Sequence, residues 1–125
     1  MDGNRKKELR EQYKLMKPEM GIFSICSLDK SVCYIEATQN LKAVINSAKA
    51  KLLNNMHPNL EFQKIWTSIG SESFKFEILE NLQYDKDESK TDYNEELIIL
   101  QMMWEERLLK EDIRVYKKKN KGKNS

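Results

Sequence analysis

Apolar residues recur along this chain with two different periods, and the changes of period mark out its elements. In RKKELREQYKLM (5–16), Leu9, Tyr13 and Met16 fall at helical spacing, which predicts a short helix ending before Lys17-Pro18. GIFSICSL (21–28) and VCYIEAT (32–38) are β-rich runs joined by a short polar turn, the pattern of an antiparallel hairpin. Leu41, Val44, Ile45, Ala48 and Leu52 then follow an i, i+3, i+4, i+7, i+11 pattern, which predicts an amphipathic helix over 39–54 with Thr38 as its N-cap. His57-Pro58-Asn59 breaks the chain. Leu60, Gln63, Lys64, Trp66 and Ile69 suggest a second helix, ending at Gly70. FKFEILE (74–80) alternates as a third strand, and NLQYDKDESKTD (81–92) is a polar, acidic loop. Leu97, Leu100, Trp104 and Leu108 form one stripe of a long helix running to Lys110. The expected fold class is α+β: a small three-stranded antiparallel sheet flanked by helices, with an extra N-terminal helix. The expected organisation is a helical leader (1–16), a domain (17–112) and a basic tail (113–125).

Length and composition narrow the class. One domain is expected from 125 residues, and 39% apolar residues are enough for a core. A membrane span needs about 20 apolar residues in a row, and the longest run here is LIILQMMW (97–104). The start of the chain lacks the apolar h-region of a secretory signal peptide. A small cytoplasmic domain with no membrane contact is therefore expected. Cys26 and Cys33 match no metal or disulfide framework, and in a reducing cytosol they are read as core thiols on facing strands.

The net charge of +2 hides a strong asymmetry, because residues 80–112 carry −7 and residues 113–125 carry +6. A terminal lysine run is commonly a solvated tail. It also attracts nucleic acid, since each phosphate neutralised releases counterions. The candidate contacts are Lys117, Lys118, Lys119, Lys121 and Lys123.

Several ordered strings resemble the GIY-YIG nuclease family. GIFSI (21–25) stands where GIY opens the first strand, and CYIEAT (33–38) stands where YIG follows on the second. NLK (40–42), His57-Pro58-Asn59, the Gln63–Trp66 helix, FKFEILE and the Trp-bearing last helix continue the match over roughly 17–110. The leader KPEMG (17–21) is similar to that of small stand-alone bacterial members.

The resemblance implies DNA phosphodiester hydrolysis with one divalent metal. In the family, two tyrosines surround the attacking water, a helix arginine stabilises phosphoryl charge, and a glutamate on the last helix holds the metal. Carried over by position, the first tyrosine is Phe23, the second is Tyr34, and the YIG glycine is Glu36. The arginine falls on Val44 and a histidine one turn later on Ala48, both on the apolar stripe. His57 aligns with a family histidine. The metal glutamate falls on Gln101, a poor ligand for a hard cation, with Glu105 one turn further on.

Three functional readings follow. In the first, the nuclease site is inactive and the domain is retained for nucleic-acid binding or regulation, through the lysine tail and a cleft at Tyr34 and His57. In the second, a metal-dependent endonuclease works with a relocated site: Tyr34 positions water, His57 assists proton transfer, Glu105 or Glu95 takes Mg²⁺ or Mn²⁺, and Lys42 or Lys49 supplies the cation. In the third, the acidic 80–112 face serves as a protein–protein module for a basic partner.

Overall fold

A computed structural model describes residues 17–118. Along the chain come β1 (Met20–Ser27), β2 (Val32–Thr38), α1 (Leu41–Leu53), α2 (Leu60–Ile69), a single 3-10 turn (Ser71–Ser73), β3 (Phe74–Leu82), α3 (Asn94–Lys110) and β4 (Arg114–Lys117). The expected helix at 5–16 lies outside the described residues. No helix among the described residues is long and apolar enough to cross a membrane.

The sheet is four-stranded and mixed, in the order β3-β1-β2-β4, which corrects the expected count of three. β1 pairs antiparallel with both β2 and β3, whereas β4 lies parallel to β2. Residues 114–117, expected to be part of a solvated tail, are thus a structured edge strand. Val115 packs on one face of the sheet and Tyr116 on the other. A strand that is apolar on both faces, inside a lysine-rich run, offers little alternation to read.

Strand alternation divides the core in two. Phe23, Ile25, Val32 and Tyr34 pack with Leu41, Ala48, Leu52, Phe62, Trp66 and Phe74 beneath α1 and α2. Ile22, Cys33 and Ile35 face the other way, against Leu100, Leu108 and Ile113 on the α3 side. Met20, Tyr93 and Leu97 close the end of the sheet where α3 begins.

Two local expectations change. The α1 N-cap is Asn40, whose Oδ1 accepts from Ala43 N at 3.2 Å, while Thr38 Oγ1 accepts from Asn40 N one step earlier. Cys26 and Cys33 are joined in a disulfide. The hairpin register sets them directly opposite each other, with Cα atoms 4.0 Å apart. Facing strands can be read from sequence, but that register cannot.

Candidate active site

Sheet register arranges the candidate residues in rows across the α1/α2 face. One row runs Ile78, Phe23, Glu36 across β3, β1 and β2, and the next runs Phe76, Ile25, Tyr34, Tyr116 across all four strands. Phe23 is fully buried and Tyr34 is 1% exposed. Phe62 stacks on Tyr34 with ring centroids 5.2 Å apart, and His57 meets the same ring edge-on at 4.7 Å. The two family tyrosine positions are therefore adjacent, as the resemblance implies, but both rings lie under α1 and α2.

The Tyr34 hydroxyl donates to Glu36 Oε1 at 2.9 Å, and Glu36 is itself 8% exposed. Burial, followed by the Glu36 charge and the bond to it, pushes the phenol far above its ordinary pKa. A phenol held neutral and already donating to a carboxylate is poorly placed to orient or deprotonate water. Glu36 Oε2 lies 3.7 Å from Lys118 Nζ, so the carboxylate links the strand interior to the chain beyond β4. Glu36→Ala is expected to destabilise the fold by about 1–3 kcal/mol, because it leaves the buried Tyr34 hydroxyl without an acceptor. Urea melts in the parent and in a Tyr34→Phe background check this, and the loss should shrink where the hydroxyl is absent.

His57 sits in the loop between α1 and α2, where Pro58 and the Asn59 cap turn the chain. Its backbone N donates to Gln63 Oε1 at 3.0 Å, and its Nδ1 accepts from Asn59 N at 3.0 Å, leaving Nε2 to carry the hydrogen of the neutral ring. Asn59 also bridges to β4, its Nδ2 donating to Lys117 O at 3.3 Å. Burial holds the imidazole below its ordinary pKa of 6.5, outweighing the Asn59 bond that raises it, and Lys51 adds to the lowering. The folded chain thus binds this proton less tightly than the unfolded chain does. Stability from the neutral ring is complete above about pH 6.5 and is lost as the pH falls toward the lowered value. His57→Gln is expected to flatten the stability profile between about pH 7 and 5, as read by denaturant midpoints at each pH.

The remaining positions lie apart from this cluster. Val44 is half-buried against the α1/α2 core and Ala48 is buried within it, so both family cation positions are apolar packing positions. Gln101 lies on the α3 side, where its Oε1 accepts from Ala37 N at 3.2 Å. Glu105, one turn on, pairs with Lys117 Nζ at 2.8 Å. No group of three or more His, Cys, Asp or Glu side chains converges in a metal-binding arrangement among the described residues. With Gln101 engaged by backbone and Glu105 by a lysine, the residues present do not fit a divalent metal. Of the tail lysines, Lys117 and Lys118 are both ion-paired, and Lys119, Lys121 and Lys123 lie outside the described residues. The Asn59 link between the His57 loop and β4, and the Lys118–Glu36 pair, carry no sequence signal because both depend on β4.

The hairpin, α1, α2, β3 and Trp-bearing α3 follow one another in a GIY-YIG-like fold. Among solved structures, the fold is similar to the catalytic domain of the homing endonuclease I-TevI, with a TM-score of 0.62 and 20% identity over 81% of this chain and 99% of that one. It is also similar to a mutant of the catalytic domain of intron endonuclease I-TevI, with a TM-score of 0.58 and 18% identity over 77% and 91% of the two chains. No family model matches the sequence, and no curated protein matches it significantly. At these identities the likeness is one of architecture.

Proposed function

We propose that this is a GIY-YIG-like domain whose hydrolytic centre is closed and whose role is to bind nucleic acid. The observation that carries the first half is Tyr34: its ring is 1% exposed and its hydroxyl is bonded to Glu36. A phosphodiester approaching this row would meet the Glu36 carboxylate where the family has a glycine, and the α1 face beneath it bears Val44 rather than a cation.

The binding half rests on the outer face of α1. Lys42 and Lys49 are exposed together on one flank of α1, Lys51 is exposed on the opposite flank, and α1 contains no acidic residue. Lys49 lies over the Phe76 ring, 5.1 Å from its centroid, which holds its charge beside the β3 edge of the sheet. The acidic α3 lies across the sheet from this surface. Lys119, Lys121 and Lys123 extend the positive charge along the sequence, without carboxylate neighbours in the run.

Short labelled DNA and RNA duplexes, titrated by anisotropy across a salt series, test the binding half. Changing both Lys42 and Lys49 to Gln is expected to weaken binding and reduce the slope of log affinity against log salt by about 1–2. Binding that is undetectable at low salt, or unchanged in slope by these substitutions, would remove it.

A further inference from the structure

We propose that β3 is a self-association edge, on which a second copy of this chain adds its own β3, antiparallel, about a two-fold axis through Phe76. Among the described residues, β3 ends the sheet on one side and has β1 as its strand neighbour. At nine residues it is also the longest strand described, and an open edge of that length is a template for another strand.

Backbone orientation shows what this edge offers. Leu28 N donates to Ser73 O at 2.9 Å where the β1–β3 ladder begins. Bonded pairs recur at every second residue of an antiparallel ladder. Lys75 and Glu77 therefore turn their backbone groups toward Cys26 and Ser24 of β1, whereas Phe74, Phe76 and Ile78 turn theirs outward. The Phe74 N–H is taken up by Ser71 O in the preceding turn. That leaves the N–H of Phe76 and Ile78, and the C=O of Phe74, Phe76 and Ile78, facing a side with no strand described. The 3-10 turn before Phe74 and the register shift after Ile78 confine the regular edge to 74–78, with Phe76 at its centre.

About that centre the segment matches itself in reverse. Phe76 stands opposite Phe76 of the second copy and exchanges both backbone bonds with it, while Ile78 N meets Phe74 O of the copy. On the α1/α2 face this gives Ile78, now 44% exposed, an apolar neighbour. On the other face Lys75 stands opposite Glu77 of the copy, and Glu77 opposite its Lys75. These two side chains already lie 3.8 Å apart along their own strand, both more than half exposed. Pairing therefore closes two such couples into a ring of alternating charges, and neither partner has to be given up.

Charge also selects the register and the occupant. Like charges directly opposite each other destabilise a sheet. An axis one residue either way would set Lys75 against Lys75 or Glu77 against Glu77, and a parallel copy in register would do both. The group that opposes pairing is Lys49, which lies over the Phe76 ring and approaches its counterpart near the axis. It is exposed, so its ammonium is free to turn toward solvent.

The test is sedimentation equilibrium of the full chain over a protein concentration series. Reversible dimerisation of the parent is expected. Lys75→Glu and Glu77→Lys, both at exposed positions, should each weaken the dimer by at least about tenfold, because attraction turns to repulsion at both symmetry-related pairs. An equimolar mixture of the two variants should dimerise again, since the acidic edge of one then faces the basic edge of the other. A parent that stays monomeric up to millimolar concentration would overturn the proposal, as would a mixture of variants that fails to restore the dimer. A dimer that both single substitutions leave intact would overturn it too, and would assign the contact to another surface, such as the exposed Ile98 and Met102 of α3.

Discussion

Phe62→Ala is expected to cost about 3–5 kcal/mol, the range for removing a fully buried aromatic ring. Phe62 has no exposed surface, and it contacts four other rings of the α1/α2 core. Its ring stacks on Tyr34, meets Phe74 edge-on at 5.7 Å and His57 edge-on at 5.9 Å, and lies tilted against Tyr116 at 6.1 Å. Those partners come from β2, β3, the α1–α2 loop and β4, so no single neighbour can move to fill the space. A loss of that size is a large fraction of the 5–15 kcal/mol that holds a domain folded. In a thermal melt it corresponds to a Tm lowered by roughly 12–20 °C for a chain of this size. A shift of only a few degrees would mean that the core collapses around the gap.

Gly21→Ala is expected to cost about 3 kcal/mol, by a different mechanism. Gly21 has φ +156°, and a Cβ built there would lie 2.1 Å from Glu80 O and 2.8 Å from Asn81 Cα. Both are backbone atoms of β3, the strand paired with β1 at this point, and the register shifts between Ile22 and Phe23 immediately afterwards. Relief therefore requires separating two strands rather than turning a side chain, and overpacking adds to backbone strain. Chemical denaturation of the variant checks this, and alanine tolerated within a few tenths of a kcal/mol would show that the β1–β3 edge is pliable. The glycine that aligns with the family's first motif letter thus has a structural reason of its own, independent of catalysis.

Most of the fold was legible because its elements have clean periods. β2 spans the seven residues of VCYIEAT that the sequence marks, and α2 ends at Gly70 as predicted. What escaped reading depended on contacts distant in sequence. β4 is a four-residue strand whose reason for existing is the open edge of β2, about eighty residues earlier in the chain. The disulfide depended on hairpin register in the same way. At the candidate site, substitution of the family groups could be read position by position, but where their replacements point could not. Glu36 turns inward to accept from Tyr34, and Gln101 reaches across to Ala37 on β2.

The burial of Tyr34 against Glu36 also explains why Phe23 is tolerated: in a dry row, a hydroxyl at Phe23 would add a polar group to a fully buried position. The claim that this centre is closed is tested most directly by nicking of supercoiled plasmid in Mg²⁺ and in Mn²⁺, with Tyr34→Phe run beside the parent and both shown to be folded. A closed centre predicts no metal-dependent nicking by the parent above that of the variant. Nicking by the parent that Tyr34→Phe abolishes would contradict it, and would mean that the Tyr34 hydroxyl leaves Glu36 to meet substrate.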